Sequence, residues 1–392
     1  EDVNNTLKSL KKLGVNLKKR KNYCEIEGVG LNGFNFKNNT EINCENSGTL
    51  ARLICGILAK TNKTVILKGD ASLSKRDFSR VIKPLNLLGV KIISNSKRLP
   101  LKIKGTNFLK PIEFEENIGS AQVKSCIMLA ALNTPGVTKI KAAKSRNHSE
   151  LMFKYLKIPI KINKSKNFDR IEIKGLTQYQ SFNYKIPGDI SSSSPFICLA
   201  ALSKNSKILI KGVNVNPSRT GIIDILKKMN VKIIIKNKKK YNGEYVADLL
   251  VKSCKSLNAI KCEKKYNSRA IDEFPLIFLA CAKAKGISYF NNLSELRQKE
   301  SDRLKITSNF LKMIGIKVEE KFDSLKIYGN PKLDLNKKFI IKNYMKDHRV
   351  FMMACIAALT LGGKFEIHDK DSIKTSFPSF IKILKKIGAE IK

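Results

Sequence analysis

Hydrophobic and polar positions along the chain repeat in a two-part pattern. The first part is an amphipathic helix that ends in a small residue and runs into a short β-branched stretch. It reads Leu7-Lys8-Ser9-Leu10-Lys11-Lys12-Leu13-Gly14-Val15 near the start and Val81-Ile82-Lys83-Pro84-Leu85-Asn86-Leu87-Leu88-Gly89-Val90 further on. A weaker copy lies at 153–162, and others lie at 222–231, 310–316 and 380–389, six copies at a period of roughly 70 to 85 residues. Glycine at the helix end permits a left-handed cap, and the β-branched residues after it favour extension. The second part is a helix rich in small residues and apolar nearly all round, which predicts burial. Its copies begin near Ser47, Ser120, Ser191, Asp272 and Asp347.

Each unit therefore holds one exposed and one buried helix with strands between them. Six units predict an α/β fold of two three-unit domains, 1–185 and 186–392, parted near Pro187-Gly188-Asp189, a turn signal in which Asp189 suits a helix cap. The polar stretches 164–167 and 236–240 read as hairpin tips. Extrapolating the period backwards places a sixth buried helix about 25 residues before Glu1. The chain is accordingly expected to be an N-terminal truncation whose first unit lacks its first strand and buried helix.

Composition changes this picture little. The chain has 392 residues, 42% of them apolar, and a net charge of +42 that would attract nucleic acid, acidic membranes or phosphorylated and carboxylated substrates. The lysines are spread along the whole length, tryptophan is absent and aromatics make up 7%, which argues against a stacking platform for single strands. None of the nine cysteines forms a Cys-x-x-Cys pair, and Cys55, Cys126, Cys198, Cys281 and Cys355 lie in apolar helical runs, as free thiols do in a reducing cytosol. Three scattered histidines offer no zinc site. No apolar run reaches membrane-spanning length and no signal peptide is legible, so the cytoplasm is the default location.

Candidate chemistry gathers where the buried helices begin, because helix N-termini present free N–H groups and a positive dipole end to anions. Gly48, after Ser47, would let an anion approach the backbone, or it simply packs behind a serine cap. Ser120-Ala121-Gln122 offers hydroxyl and amide donors or a plain cap. Arg349 opposes the dipole of its own helix, so it needs an anionic partner, either a ligand or Asp347. Asp272-Glu273 beside the run 274–279 suits proton transfer if one carboxyl pKa is raised, or else provides two dipole-favoured caps. The stretch 295–303, Glu-Leu-Arg-Gln-Lys-Glu-Ser-Asp-Arg, follows an expected N-cap at 291–294 and is read as helix. Lys299 and Arg303 would then share a face with an anion between them, or Glu295 and Lys299 would form a solvated pair. Leu304, Thr307, Leu311 and Ile314 continue that helix as a core stripe. The segment 75–80, containing Arg76, reads by itself as the start of a basic surface helix after a turn at 69–74.

Taken in order, NSGTLARLICGILA (46–59), GDASLSKRDFSRVIKPLNLLG (69–89), SAQVKSCIMLAAL (120–132), SRNHSE (145–150), PGDISSSSPF (187–196), NPSRTGIIDILKKM (216–229), IDEFP (271–275), LRQKESDR (296–303), DHR (347–349) and TSFPSF (375–380) resemble the 5-enolpyruvylshikimate-3-phosphate synthase family over the whole chain. The resemblance implies the enolpyruvyl transferase fold, with three βαβαββ units per domain and the active site in the cleft between domains. It implies transfer of the enolpyruvyl group of phosphoenolpyruvate to the 5-hydroxyl of shikimate 3-phosphate, in aromatic amino acid biosynthesis, by a cytoplasmic monomer without metal or organic cofactor. Carried over by position, Gly48, Arg76, Gln122, Arg303 and Arg349 would bind phosphoenolpyruvate. Ser120, Ala121, Gln122, Ser145, Asp272 and Lys299 would bind shikimate 3-phosphate. Asp272 would take the hydroxyl proton and Glu300 would serve the methylene carbon. Gly48 keeps the small residue of glyphosate-sensitive members, which implies inhibition competitive with phosphoenolpyruvate.

The chain also departs from the family. The expected missing start is where members carry a Lys-Ser and an Arg that contact substrate, so the chain as given is expected to be nearly inactive. Glu295 replaces an asparagine of some members, and Thr375 stands where some have a lysine, with Lys374 one position off. The rival readings are the sister transferase acting on UDP-N-acetylglucosamine, whose cysteine loop has no match here, a truncated relative that binds without turnover, and a basic nucleic-acid-binding protein.

Overall fold

The computed structural model describes residues 1–178 and 180–391. It divides into two compact units, Glu1–Tyr184 and Lys185–Lys392. The first unit opens with α1 (Asp2–Lys12) and the hairpin β1 (Leu17–Lys19) and β2 (Cys24–Ile26). Next come β3 (Thr40–Asn43), α2 (Gly48–Ile57), β4 (Thr64–Lys68), the short α3 (Ala71–Ser74), α4 (Ser79–Leu87), β5 (Lys91–Ser94) and β6 (Leu101–Lys104). The last part of the unit is β7 (Glu113–Glu116), α5 (Ala121–Ala131), β8 (Val137–Ala143), α6 (His148–Tyr155), β9 (Ile160–Lys164) and β10 (Phe168–Lys174).

In the second unit, α7 (Ile190–Leu202), β11 (Lys207–Asn214), α8 (Gly221–Lys228), β12 (Ile233–Tyr241) and β13 (Glu244–Lys252) come first. They are followed by β14 (Leu257–Asn258), α9 (Phe274–Ala282), β15 (Ala284–Phe290), α10 (Arg303–Met313), β16 (Val318–Glu320) and β17 (Leu325–Gly329). The unit closes with β18 (Leu335–Ile341), α11 (His348–Thr360), β19 (Gly362–Ile367) and α12 (Phe380–Lys386).

One topology recurs. The sheets β3-β4-β6-β5, β7-β8-β10-β9 and β14-β15-β17-β16 share the same order, with the first pair parallel and the others antiparallel. A parallel pair needs a crossover, which the buried helix supplies, whereas the antiparallel pair closes as a hairpin. The sheet β11-β13-β12 keeps the antiparallel part, with Gly188 bridging Val213 in parallel, and β18-β19 keeps the parallel part. This is a mixed α/β architecture of repeated units, as the repeat predicted.

The helix ends behave as their sequences suggest. Gly14, Gly89, Gly315 and Gly388 follow exposed helices at φ of 86°, 102°, 84° and 100°, and Asn230 at 76° takes the same place after α8. Lys157, at φ 57°, does so after α6 without glycine's freedom. Every residue of α9 is buried, and Phe274, Phe278 and Phe290 pack edge to face and tilted around it. Helices α2 and α5 cross in backbone contact: a Cβ on Gly56 would lie 2.1 Å from the Cys126 carbonyl oxygen. Cys55, Cys126, Cys198, Cys281 and Cys355 are buried free thiols, and burial pushes Cys126 up to about 12. Among the described residues, no helix is long and apolar enough to cross a membrane.

Two local expectations are corrected. Residues 236–240 are not a tip but part of β12, which bulges between Lys236 and Lys239 while Asn242-Gly243 makes the turn. Residues 71–74 form α3, capped by Asp70, whose side chain accepts from Leu73 N, and α4 begins only at Ser79. Arg76 therefore sits half-buried between two helices and not on a surface helix.

Candidate active site

The first unit presents the heads of α2 and α5. Ser47 caps α2, its hydroxyl accepting from Leu50 N at 3.3 Å, and Ser120 caps α5 by accepting from Val123 N at 3.3 Å. Both caps are neutral, so the positive end of each helix dipole is left uncancelled. Gly48 lies under two guanidinium groups, since a Cβ there would stand 2.9 Å from Nη1 of both Arg52 and Arg76. Arg52 Nη1 donates to Gln122 Oε1 at 3.0 Å, and Gln122 Nε2 donates to Thr49 Oγ1 at 2.9 Å, which ties the two heads together. Gly48, Arg76 and Gln122 are thus brought together with Arg52, which the sequence reading did not single out. Arg52 is the lone cation of α2, and a cation in such a helix is the signal that marks it.

Ser120 and Ala121 are set by the turn before them, where Glu116 accepts from Ile118 N at 3.2 Å and Gly119 N at 2.8 Å. Ser145 lies in the loop before α6. Lys124, 1% exposed within α5, fixes that loop by pairing with Glu150 at 2.6 Å and donating to the Arg146 carbonyl at 2.9 Å. The Ser145 hydroxyl oxygen is buried and makes no hydrogen bond among the described residues.

In the second unit the helix heads carry carboxylates. Asp189 caps α7 through Ser191 N and Ser192 N, Asp302 caps α10 through Lys305 N, and Asp347 caps α11 through Arg349 N. Arg303 is 1% exposed and sits among three acids. Its Nε reaches Asp347 Oδ2 at 2.9 Å, its Nη1 reaches Asp272 Oδ1 at 2.9 Å, and its Nη2 pairs with Glu300. Burial works against the guanidinium charge, but Asp347, Glu300 and Asp272 outweigh it and raise the pKa above the ordinary arginine value. Next to them, burial and then the Arg349 charge push His348 down to about 4.

The stretch 295–303 is not one helix. A 3-10 turn at Ser294–Gln298 ends in extended backbone at Lys299, and α10 starts afresh at Arg303 behind Asp302. Lys299 and Arg303 therefore do not stack on one face, and the anions beside Arg303 are the protein's own carboxylates. The core stripe does follow, with Leu304, Thr307, Leu311 and Ile314 all buried. Asp347 is not the side-chain partner of Arg349, because its Oδ2 accepts from Arg303 Nε and Ser301 Oγ, each at 2.9 Å. Arg349 Nη1 donates instead to the Ser191 carbonyl at 3.2 Å. Glu273 occupies the cap position of α9 without capping it, and it accepts from Ser191 Oγ. Lys374 pairs with Asp371 at 2.8 Å, and the Thr375 hydroxyl donates to the Ser372 carbonyl at 2.9 Å.

The EPSP synthase (3-phosphoshikimate 1-carboxyvinyltransferase) family model matches residues 1–384. A 3-phosphoshikimate 1-carboxyvinyltransferase from Ruthia magnifica subsp. Calyptogena magnifica is 41% identical over 392 residues, covering 100% of this chain and 88% of that protein. One from Petrotoga mobilis is 38% identical, covering 99% of this chain and 89% of its own. Among solved structures, an EPSP synthase from Acinetobacter baumannii superposes with a TM-score of 0.84 at 33% identity, over 99% of this chain and 88% of that one. The enolpyruvyl transferase NikO from Streptomyces tendae shares the fold at a TM-score of 0.71 and 13% identity, over 98% of this chain and 86% of that one.

Proposed function

The chain belongs to the EPSP synthase family, and from that premise we propose how its residues divide the family reaction. That reaction transfers the enolpyruvyl group of phosphoenolpyruvate to the 5-hydroxyl of shikimate 3-phosphate. It yields 5-enolpyruvylshikimate 3-phosphate and phosphate, in aromatic amino acid biosynthesis. The two compact units serve as its domains. Phosphoenolpyruvate is held by Gly48, Arg76, Gln122, Arg303 and Arg349. The cations near the head of α2 and the uncancelled dipole there support this reading. Shikimate 3-phosphate is held by Ser120, Ala121, Gln122, Ser145, Asp272 and Lys299, and the unengaged Ser145 hydroxyl supports its place in that set.

The observation that carries the mechanism is Arg303, which bridges Asp272 and Glu300. It keeps two carboxylates in place on one rigid cation, while its five N–H donors leave capacity beyond the three pairs. Asp272 takes the proton of the 5-hydroxyl as its oxygen bonds to C2 of phosphoenolpyruvate, and Glu300 gives a proton to C3. The tetrahedral intermediate then expels phosphate as Glu300 recovers the C3 proton and the proton held by Asp272 passes to the departing phosphate oxygen, which returns both carboxyl groups to their starting state.

Phosphate release from the two substrates, followed in the parent, Asp272→Asn and Glu300→Gln, tests the assignment. Each variant is expected to lose about 100-fold or more in kcat. Parental turnover in either removes that residue from its role. Glyphosate is expected to compete with phosphoenolpyruvate, and insensitivity at millimolar inhibitor would take Gly48 out of the pocket. The enzyme acts as a cytoplasmic monomer. Nine free thiols suit a reducing compartment, and a continuous core in each unit supports an independent chain.

A further inference from the structure

Helix α7 carries a proline, Pro195, inside its helical span. Proline has no N–H, so it cannot donate to the carbonyl four residues earlier. That carbonyl belongs to Ser191, which is 1% exposed and cannot turn to water instead. A donor arrives from another helix: Arg349 Nη1, in the first turn of α11, lies 3.2 Å from the Ser191 oxygen. The Ser191 side chain is locked as well, since its hydroxyl donates to Glu273 and accepts from Arg219 Nη2 at 2.6 Å, with the same nitrogen 2.9 Å from Asp189. Glu273 is itself 1% exposed. The acceptor that Arg349 meets is therefore both freed from its own helix and fixed in place. At the other end of the guanidinium, Arg349 Nε is buried and makes no hydrogen bond among the described residues, so the Ser191 carbonyl is the contact that sets its direction.

We propose that Pro195 is a positioning residue for phosphoenolpyruvate: by withholding an N–H from the Ser191 carbonyl, it leaves that oxygen to aim the Arg349 guanidinium. The inference rests on Arg349 binding phosphoenolpyruvate, as read above. Pro195 does not touch substrate and acts only through Ser191 and Arg349.

Pro195→Ala restores a helical N–H that competes for the Ser191 oxygen, in a residue that helices favour. In the full chain, the KM for phosphoenolpyruvate should rise roughly three- to tenfold, as for a shared charge-assisted hydrogen bond. The kcat and the KM for shikimate 3-phosphate should stay within about twofold. Incorporating lactic acid at position 195, the hydroxy-acid counterpart of alanine, deletes the N–H again without restoring the ring and should return KM to the parental value. In an Arg349→Gln background, Pro195→Ala should add nothing. If Arg349→Gln raises the KM for phosphoenolpyruvate while Pro195→Ala does not, the positioning role is refuted and the Arg349 assignment survives. If lactic acid at 195 leaves KM as high as alanine does, the effect comes from the lost ring and the proposal is equally refuted. If Arg349→Gln itself leaves that KM unchanged, the binding assignment has failed instead.

Discussion

The helix heads that gather candidate chemistry in the two units use the same backbone device, neutral in one and negatively charged in the other. Ser47 and Ser120 cap α2 and α5 with hydroxyls, while Asp189, Asp302 and Asp347 cap α7, α10 and α11 with carboxylates. A hydroxyl satisfies an N–H and leaves the positive end of the dipole for a ligand, whereas a carboxylate cancels it. Arg52 and Arg76 lie beside Gly48 at the head of α2, and Arg52 reaches Gln122 at the head of α5, so the charge and the dipole ends there all favour an anion. One acidic head, Asp347, joins Asp272 and Glu300 around Arg303, so its charge is already answered by the protein's own carboxylates, while Asp189 and Asp302 pair with Arg219 and Arg297. On the function proposed above, the first arrangement captures the anion and the second moves protons.

The sharpest way to break this contrast is Arg303→Met. It leaves Asp347, 0% exposed on its side chain, without its cation, and should destabilise the protein by about 3–5 kcal/mol, measured by urea unfolding, with turnover lost. A variant as stable as the parent would mean the three acids are not held by Arg303.

Acid should weaken the second unit through His348. Its folded value, pushed to about 4 by burial first and by Arg349 next, lies below the ordinary 6.5. Above 6.5 the group is neutral folded or unfolded and costs nothing. As pH falls from 6.5 towards 4 the unfolded chain gains a proton that the folded one refuses, so stability is lost across that window, on the order of 3 kcal/mol. Unfolding midpoints at several pH values should show this slope, and His348→Asn should flatten it. A slope unchanged in that variant would assign it to other groups.

On the neutral side, Gly48→Ala places a Cβ 2.9 Å from two guanidinium nitrogens, which must shift. The KM for phosphoenolpyruvate should rise about tenfold, roughly 1.4 kcal/mol, with the unfolding midpoint nearly unchanged. Equal losses of stability and affinity would make Gly48 a packing residue only. The smallest effect is expected from Ser120→Ala, which removes one cap at a cost of about 1 kcal/mol and raises the KM for shikimate 3-phosphate severalfold. If only stability moves, Ser120 is a cap and no more.

The features legible in the sequence are those that repeat or depend on one residue type. Glycine after an amphipathic helix gives the left-handed ends at Gly14, Gly89, Gly315 and Gly388. The all-apolar run after Asp272 gives α9, and Cys55 and Cys281 behave as core residues. The charges of the segment 295–303 fit helical spacing, yet the helix start is fixed by Asp302 capping Lys305 N and by Arg297 reaching Glu320 at 2.7 Å. The partners of charged residues likewise follow distance in space and not distance along the chain. Asp347 is nearest Arg349 in sequence, yet in space it takes Arg303, and Arg349 goes to a carbonyl on α7.

Sequence by itself determined the six-fold repeat, the alternation of exposed and buried helices and the helix heads where chemistry gathers, because periodicity, caps and turns are local properties of the chain. Only the tertiary structure decided which charge answers which. The partner of a charged side chain is chosen by distance and burial between groups that lie 44 residues apart for Arg303 and Asp347, or 158 apart for Arg349 and the Ser191 carbonyl, and no local pattern encodes that distance.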